Sequence, residues 1–242
     1  MKTGTLETSP QLYARIAGAL YLAVIALGIF AEGYVINHLV VSGDTATSAQ
    51  NILASATLWN LSAFANMMLV LCVVPLSWLL YLLLRPANRN LIVLAVFFNL
   101  LSLAIEIISK LFQLLVKPIL TSTSMAKAFE PTQLHALANF ALRSHDIAFN
   151  IALILFGATC VIYGYLIFTS GYLPKFVGVL MQIAGVCYLI ACFSALFAPS
   201  VANRIYPFIL LPSLVGELSF CLWLLVKGVN LAKWNDKLNS TF

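Results

Sequence analysis

Apolar residues along the chain fall into six long runs separated by short polar breaks. A hydrocarbon core about 30 Å thick needs about 20 predominantly apolar residues in a helix that crosses it. The runs cover residues 13–35, 61–84, 91–116, 137–168, 176–197 and 206–229. None shows the apolar–polar alternation of a membrane β-barrel strand, so the pattern predicts an all-α, polytopic bundle of six transmembrane helices. Residues 1–242 read as one integral membrane domain.

The breaks carry their own signals. Ser42-Gly43-Asp44 reads as a turn, with Asp44 placed to cap a short amphipathic helix over 45–57 that rests on the outer mouth. Pro131 suits the first turn of the fourth span. Pro75 and Pro212 fall inside spans two and six, where each is expected to bend its helix. The first run is longer than the 7–15 residues of a signal-peptide core and lacks a clear Ala-x-Ala, so it is expected to be retained.

Composition fixes the class. Hydrophobic residues make up 62% of the 242 and charged ones only 9%, against about 45–50% and about 25% in soluble domains. Such a chain cannot hide its apolar side chains in water. The net charge of +5 is distributed by topology and does not point to nucleic acid. Lys2, Arg15, Arg85, Arg89, Lys175, Lys227, Lys233 and Lys237 fall at one end of the bundle, and Lys117, Lys127 and Arg204 at the other. The richer end is expected to be cytoplasmic, with both termini there. The expected partner is the lipid bilayer, with a small polar ligand or lipid in addition; the oligomeric state is unknown.

Five cysteines all lie within the runs and form no Cys-x-x-Cys pair, which argues against disulfides and structural zinc. Three histidines lack metal-site spacing, and no Gly-rich phosphate loop is present. No metal, cofactor or catalytic residue is assigned.

Charge inside the spans is the strongest functional signal. Each ionisable group near mid-membrane costs about 2.5–3.5 kcal/mol on insertion scales. Glu106, Lys110, Arg143, Asp146 and Glu217 lie within runs, and Glu32 reaches the outer edge of the first. Counting at about 1.5 Å per residue places them in the outer half, with Glu217 near the midplane. On span three Asn99, Ser102, Glu106, Ser109 and Gln113 form one stripe; on span four Asn139, Arg143, Asp146 and Asn150 form another; Ser62 and Asn66 share a face of span two. Glu106–Lys110 and Arg143–Asp146 have ion-pair spacing. Glu217 has no partner on its own helix, so it is expected to meet Arg143, Lys110 or His145, or to stay protonated. The expected pocket or proton relay therefore comprises Glu106, Lys110, Arg143, His145, Asp146, Glu217, Asn66, Asn150 and Glu32.

Several segments carry a family resemblance. They are Arg15-Ile16-Ala17-Gly18, Phe30-Ala31-Glu32-Gly33, Gly43-Asp44, Asn51-Ile52, Leu84-Arg85-Pro86, Gly164-Tyr165-Leu166-Ile167, Ser170-Gly171-Tyr172-Leu173-Pro174, Gly216-Glu217 and the run from Trp223 to Asn230. From about Arg15 to Asn230 the chain resembles the bacterial membrane family called domain of unknown function 4386. That resemblance implies a six-span protein of the bacterial cytoplasmic (inner) membrane and no particular activity.

Three functions fit this pattern. The first is binding or transport of a small solute, lipid headgroup or proton through an outer polar pocket. The second is a structural or partner-binding role in which the buried charges only fix helix packing. The third is an intramembrane acid/base enzyme using Glu217 or Asp146.

Overall fold

The computed structural model describes residues 9–241, so Lys2 lies outside the described residues. Six helices are long and apolar enough to cross a membrane. The first span is α1 (Pro10–Gly28), continued by a π-helical stretch (Ile29–Ile36) and one further turn, α2 (Asn37–Leu39). After α3 (Thr45–Ala54) come α4 (Ala56–Leu84) and α5 (Arg89–Thr121). Short α6 (Thr123–Ala128) leads to α7 (Pro131–Ser170), followed by α8 (Lys175–Phe197), short α9 (Pro199–Ile205) and α10 (Leu211–Val226). A further helix, α11 (Leu231–Thr241), follows and packs Trp234 onto the bundle.

Local chemistry sets the ends. Asp44 accepts the Thr47 amide at 2.9 Å and Asn88 the Leu91 amide at 3.0 Å, each closing a helix start. Pro131 occupies the first turn of α7, and Gly171 ends it at φ 78°. Pro75 lies within α4, but Pro212 does not bend a helix. It occupies the first turn of α10 behind a 3₁₀ turn at Phe208–Leu210, because the sixth span is shorter than its apolar run.

The spans close into a ring in chain order: α1 on α4, α4 on α5, α5 on α7, α7 on α8, α8 on α10, and α10 back on α1. Glycines set the closest approaches. A methyl on Gly164 would come within 2.6 Å of the Gly178 carbonyl and the Gln182 amide nitrogen across the α7–α8 seam.

The ring interior is layered. Near the end that carries both described termini, Tyr21, Leu76, Leu80, Ile92, Ala95, Cys160, Leu166, Met181, Phe220 and Leu224 belong to one apolar core. At the far end Val35, Leu39, Ile52, Trp59, Val116, Ala138, Ala141 and Leu142 form a second. Ile52 comes from α3, so the predicted amphipathic helix covers this far-end core. On the first span, α4, α5 and α7 alike, a polar layer falls between the two cores.

Candidate functional site

Four helices build that polar layer. The first span contributes Glu32, α4 Ser62 and Asn66, α5 Glu106, Ser109, Lys110 and Gln113, and α7 His145 and Phe149. The stripe expected on α5 does face inward: Asn99, Ser102, Ser109 and Gln113 are buried. Glu32 sits within the π-helical stretch, a rare conformation often found at functional sites.

Glu32 is the hub. Its Oε1 accepts from Lys110 Nζ at 2.6 Å and from Asn66 Nδ2 at 2.9 Å, while Oε2 lies 3.3 Å from His145 Nε2. Lys110 lies 3.7 Å from Glu106 and 4.3 Å from the centre of the Phe149 ring. Its ammonium is thus caged by two carboxylates and an aromatic face, an arrangement that suits a cation. Lys110 and His145 are 1% exposed, whereas the two carboxylate side chains keep 16%, so the cage touches the surface through its acids.

His145 Nδ1 lies 2.7 Å from Ser109 Oγ and 3.1 Å from the Ser109 carbonyl. Both ring nitrogens therefore have acceptor oxygens beside them, and a protonated ring would use both N–H groups. Asn66 donates also to Gln113 Oε1 at 2.9 Å, and Gln113 Nε2 donates to Ser62 Oγ at 2.8 Å. Both contacts of Asn66 Nδ2 are acceptors, which fixes the amide orientation. Its Oδ1 is left buried without a partner.

The layer does not gather every expected residue. Arg143 and Asp146 are exposed, and Asn150 hydrogen-bonds the Asp146 carbonyl of its own helix at 2.8 Å. No ion pair within 4.0 Å joins Arg143 to Asp146 among the described residues. The inward face of α7 here is Ala138, Ala141, His145, Ala148 and Ala152, because small side chains allow α5 to approach. Gly157 and Gly164 share the Asp146 face and pack on α8. Counted along the antiparallel seam from the Gly157–Gly185 and Gly164–Gly178 contacts, α8 ends at Phe197, about level with His145.

Glu217 forms a separate centre. It lies about 14 Å from the terminal-end tip of α10, while Lys110 lies about 32 Å from the start of α5 at a helical rise of 1.5 Å. The expected cationic partners are out of its reach. Instead the Tyr188 hydroxyl donates to Glu217 Oε1, and Tyr21 is the second tyrosine near the carboxyl. Tyr21 lies six residues from Arg15 and Tyr188 thirteen from Lys175, so neither stands at i,i+3 or i,i+4 spacing from a charge on its own helix.

A cavity of about 340 Å³ lies elsewhere, at the terminal end, lined by the α7–α8 loop and the segment after α10.

Comparison with known proteins adds the family. The profile of a family described as domain of unknown function (DUF4386) matches residues 16–228. The chain belongs to this family. No curated protein and no solved structure matches it. Membership and the six apolar helices together make it a multi-pass membrane protein of a family whose description assigns no activity. The DUF4386 match spans the Glu32 hub, the Glu217 centre and nearly all of the segments lining the terminal-end cavity.

Proposed function

We propose that this DUF4386 protein binds or transports a proton or a small cationic solute through the polar layer around Glu32. The terminal end is taken as cytoplasmic from its Lys and Arg excess, and the membrane as the bacterial inner membrane. The layer then lies toward the outer face.

One observation carries the reading. Lys110 occupies a cage made by Glu32 at 2.6 Å, Glu106 at 3.7 Å and the Phe149 ring at 4.3 Å, with His145 on the other oxygen of Glu32. With Glu32 and Glu106 both ionised and Lys110 charged, the layer is one positive charge short of neutral. A proton or an incoming cation balances it, so the two compete for the same deficit. The free acceptor on Asn66 offers such a solute a place for an N–H or O–H group. The same charge sum disfavours an anionic lipid headgroup in this layer.

A packing role is favoured by the near-complete burial of Lys110 and His145, each 1% exposed. The two readings part on ligand response. Thermal unfolding of the purified chain would be followed with sodium, ammonium, methylammonium or choline chloride at about pH 6 and about pH 8. Cation handling predicts that at least one of these salts stabilises more at the higher pH, and that Glu106→Gln cuts the effect several-fold. Equal responses to all four salts at both pH values, unchanged in Glu106→Gln, would leave only the packing role.

A further inference from the structure

The terminal-end cavity has a built chemistry that the polar layer does not use. It is about 340 Å³, the lower end of the range for small-molecule sites, and is lined by Gly171–Pro174, Trp223 and Lys227–Asn230. These two segments, some fifty residues apart, are both among those that carried the family resemblance in the sequence.

Internal hydrogen bonds hold the walls. Gln11 clamps the second segment from both sides, donating from Nε2 to the Lys227 carbonyl at 2.8 Å and accepting the Val229 amide at 3.1 Å. The Asn230 amide donates to the Tyr172 carbonyl at 3.1 Å, tying the two segments together. Gly171 and Gly228 sit at φ 78° and 68°, where a side chain would be strained.

The same bonds decide what the cavity offers a ligand. Carbonyls of Tyr172, Trp223, Lys227 and Gly228 are each already taken by a donor of the protein. The Trp223 indole donates to Gly228 and the Tyr172 hydroxyl to Leu83. The Asn230 side-chain oxygen accepts the Lys233 amide at 3.2 Å. Among the lining side chains, the polar groups left without a partner are both donors: the Lys227 ammonium, which has no ion-pair partner among the described residues, and the Asn230 amide NH₂. No lining residue is acidic. Lys175, at the start of α8, lies beside the rim with its ammonium 5.5 Å from the Phe168 ring, and Phe176 packs edge-on against Trp223 at 5.8 Å.

The position selects the source of the anion. The cavity lies where α8 begins and α10 ends, at the bundle end rich in Lys and Arg, which is the level of lipid headgroups. We propose that it binds the phosphate of an anionic phospholipid in the leaflet at that end, with Lys227 and Asn230 on the phosphate oxygens and Trp223 beside the glycerol. This site is independent of the Glu32 layer, so either assignment can fail without the other.

The test is thermal unfolding of the purified, delipidated full chain with added phosphatidylglycerol, phosphatidylcholine, or sodium phosphate without lipid. Phosphatidylglycerol is expected to raise the midpoint by about 4 °C or more beyond phosphatidylcholine, with sodium phosphate giving little. Lys227→Gln should remove most of that difference and Lys227→Arg keep it. Both retain the backbone carbonyl that Gln11 holds, so the wall stays intact. Lys117→Gln, at the far end, should leave the difference unchanged. Equal responses to the two lipids, a full response in Lys227→Gln, or an equal shift from sodium phosphate alone would overturn the lipid-phosphate assignment.

Discussion

Glu32 and Lys110, 78 positions apart, meet at 2.6 Å between two apolar cores. The contact joins the first span to the third, which are not neighbours in the ring of helices. It therefore crosses the bundle interior, with Asn66 of α4 between them.

Removing the cation tests how much the contact contributes. Lys110→Met leaves Glu32 and Glu106 without their shared counter-charge, and breaking a buried pair from one side costs about 3–5 kcal/mol. Lys110→Met combined with Glu32→Gln should lose much less than the sum of the two single changes. Thermal unfolding of the four proteins in one detergent measures the difference. Additive losses would mean that the two residues act independently.

The six spans were legible because an apolar run of about 20 residues has few other uses. The inward stripe on α5 was legible too, since its polar residues repeat at helical spacing amid apolar ones. The stripe on α7 was misread for a physical reason. Periodicity shows that Arg143, Asp146 and Asn150 share a face, but the alanines flanking His145 decide which face meets α5. Glu32 was underrated because a π-helical stretch turns it off the 3.6-residue period. Tyr188 and Tyr21 around Glu217 had no pattern to reveal them. Helix α11 does have one, in Leu231, Trp234 and Leu238 at helical spacing.

Arg143→Gln and Asp146→Asn should accordingly be mild. Both side chains are exposed and share no ion pair within 4.0 Å, so each change is expected to stay within about 0.5 kcal/mol. Unfolding midpoints within about 2 °C of the parent would agree. A loss approaching that of Lys110→Met would place these residues in the buried layer after all.

The α7–α8 seam should be intolerant of size. A Cβ at Gly164 would lie 2.6 Å from backbone atoms of Gly178 and Gln182, and one at Gly185 2.5 Å from the Gly157 carbonyl. Gly164→Ala is expected to cost about 1–3 kcal/mol by overpacking. Gly33→Ala, whose nearest neighbour is the Ile29 side chain at 3.8 Å, serves as the control and should be near neutral. The comparison is again thermal unfolding, and an indistinguishable pair would mean that the helices part without cost.

The far-end cover should depend on pH through Asp44. This exposed carboxylate caps α3 by accepting the Thr47 hydroxyl at 2.6 Å and the Thr47 amide at 2.9 Å, and these bonds hold its pKa below the usual carboxylate value. A depressed folded-state pKa gives stability that is complete above the unfolded value of about 3.9 and disappears as pH falls through the lowered one. Above about pH 5 the cap of α3 should therefore be constant, and it should weaken only below about pH 4. Hydrogen exchange over residues 45–54 would show faster opening at about pH 3 than at about pH 5 once corrected for the intrinsic rate. Asp44→Asn keeps an acceptor and has no proton to gain, so its corrected exchange should not change over the same interval. Because Ile52 of α3 belongs to the core that covers the Glu32 layer, loosening this cap should also raise exchange in the π-helical stretch around Glu32. Faster exchange confined to residues 45–54 would show instead that α3 and the layer beneath it open independently.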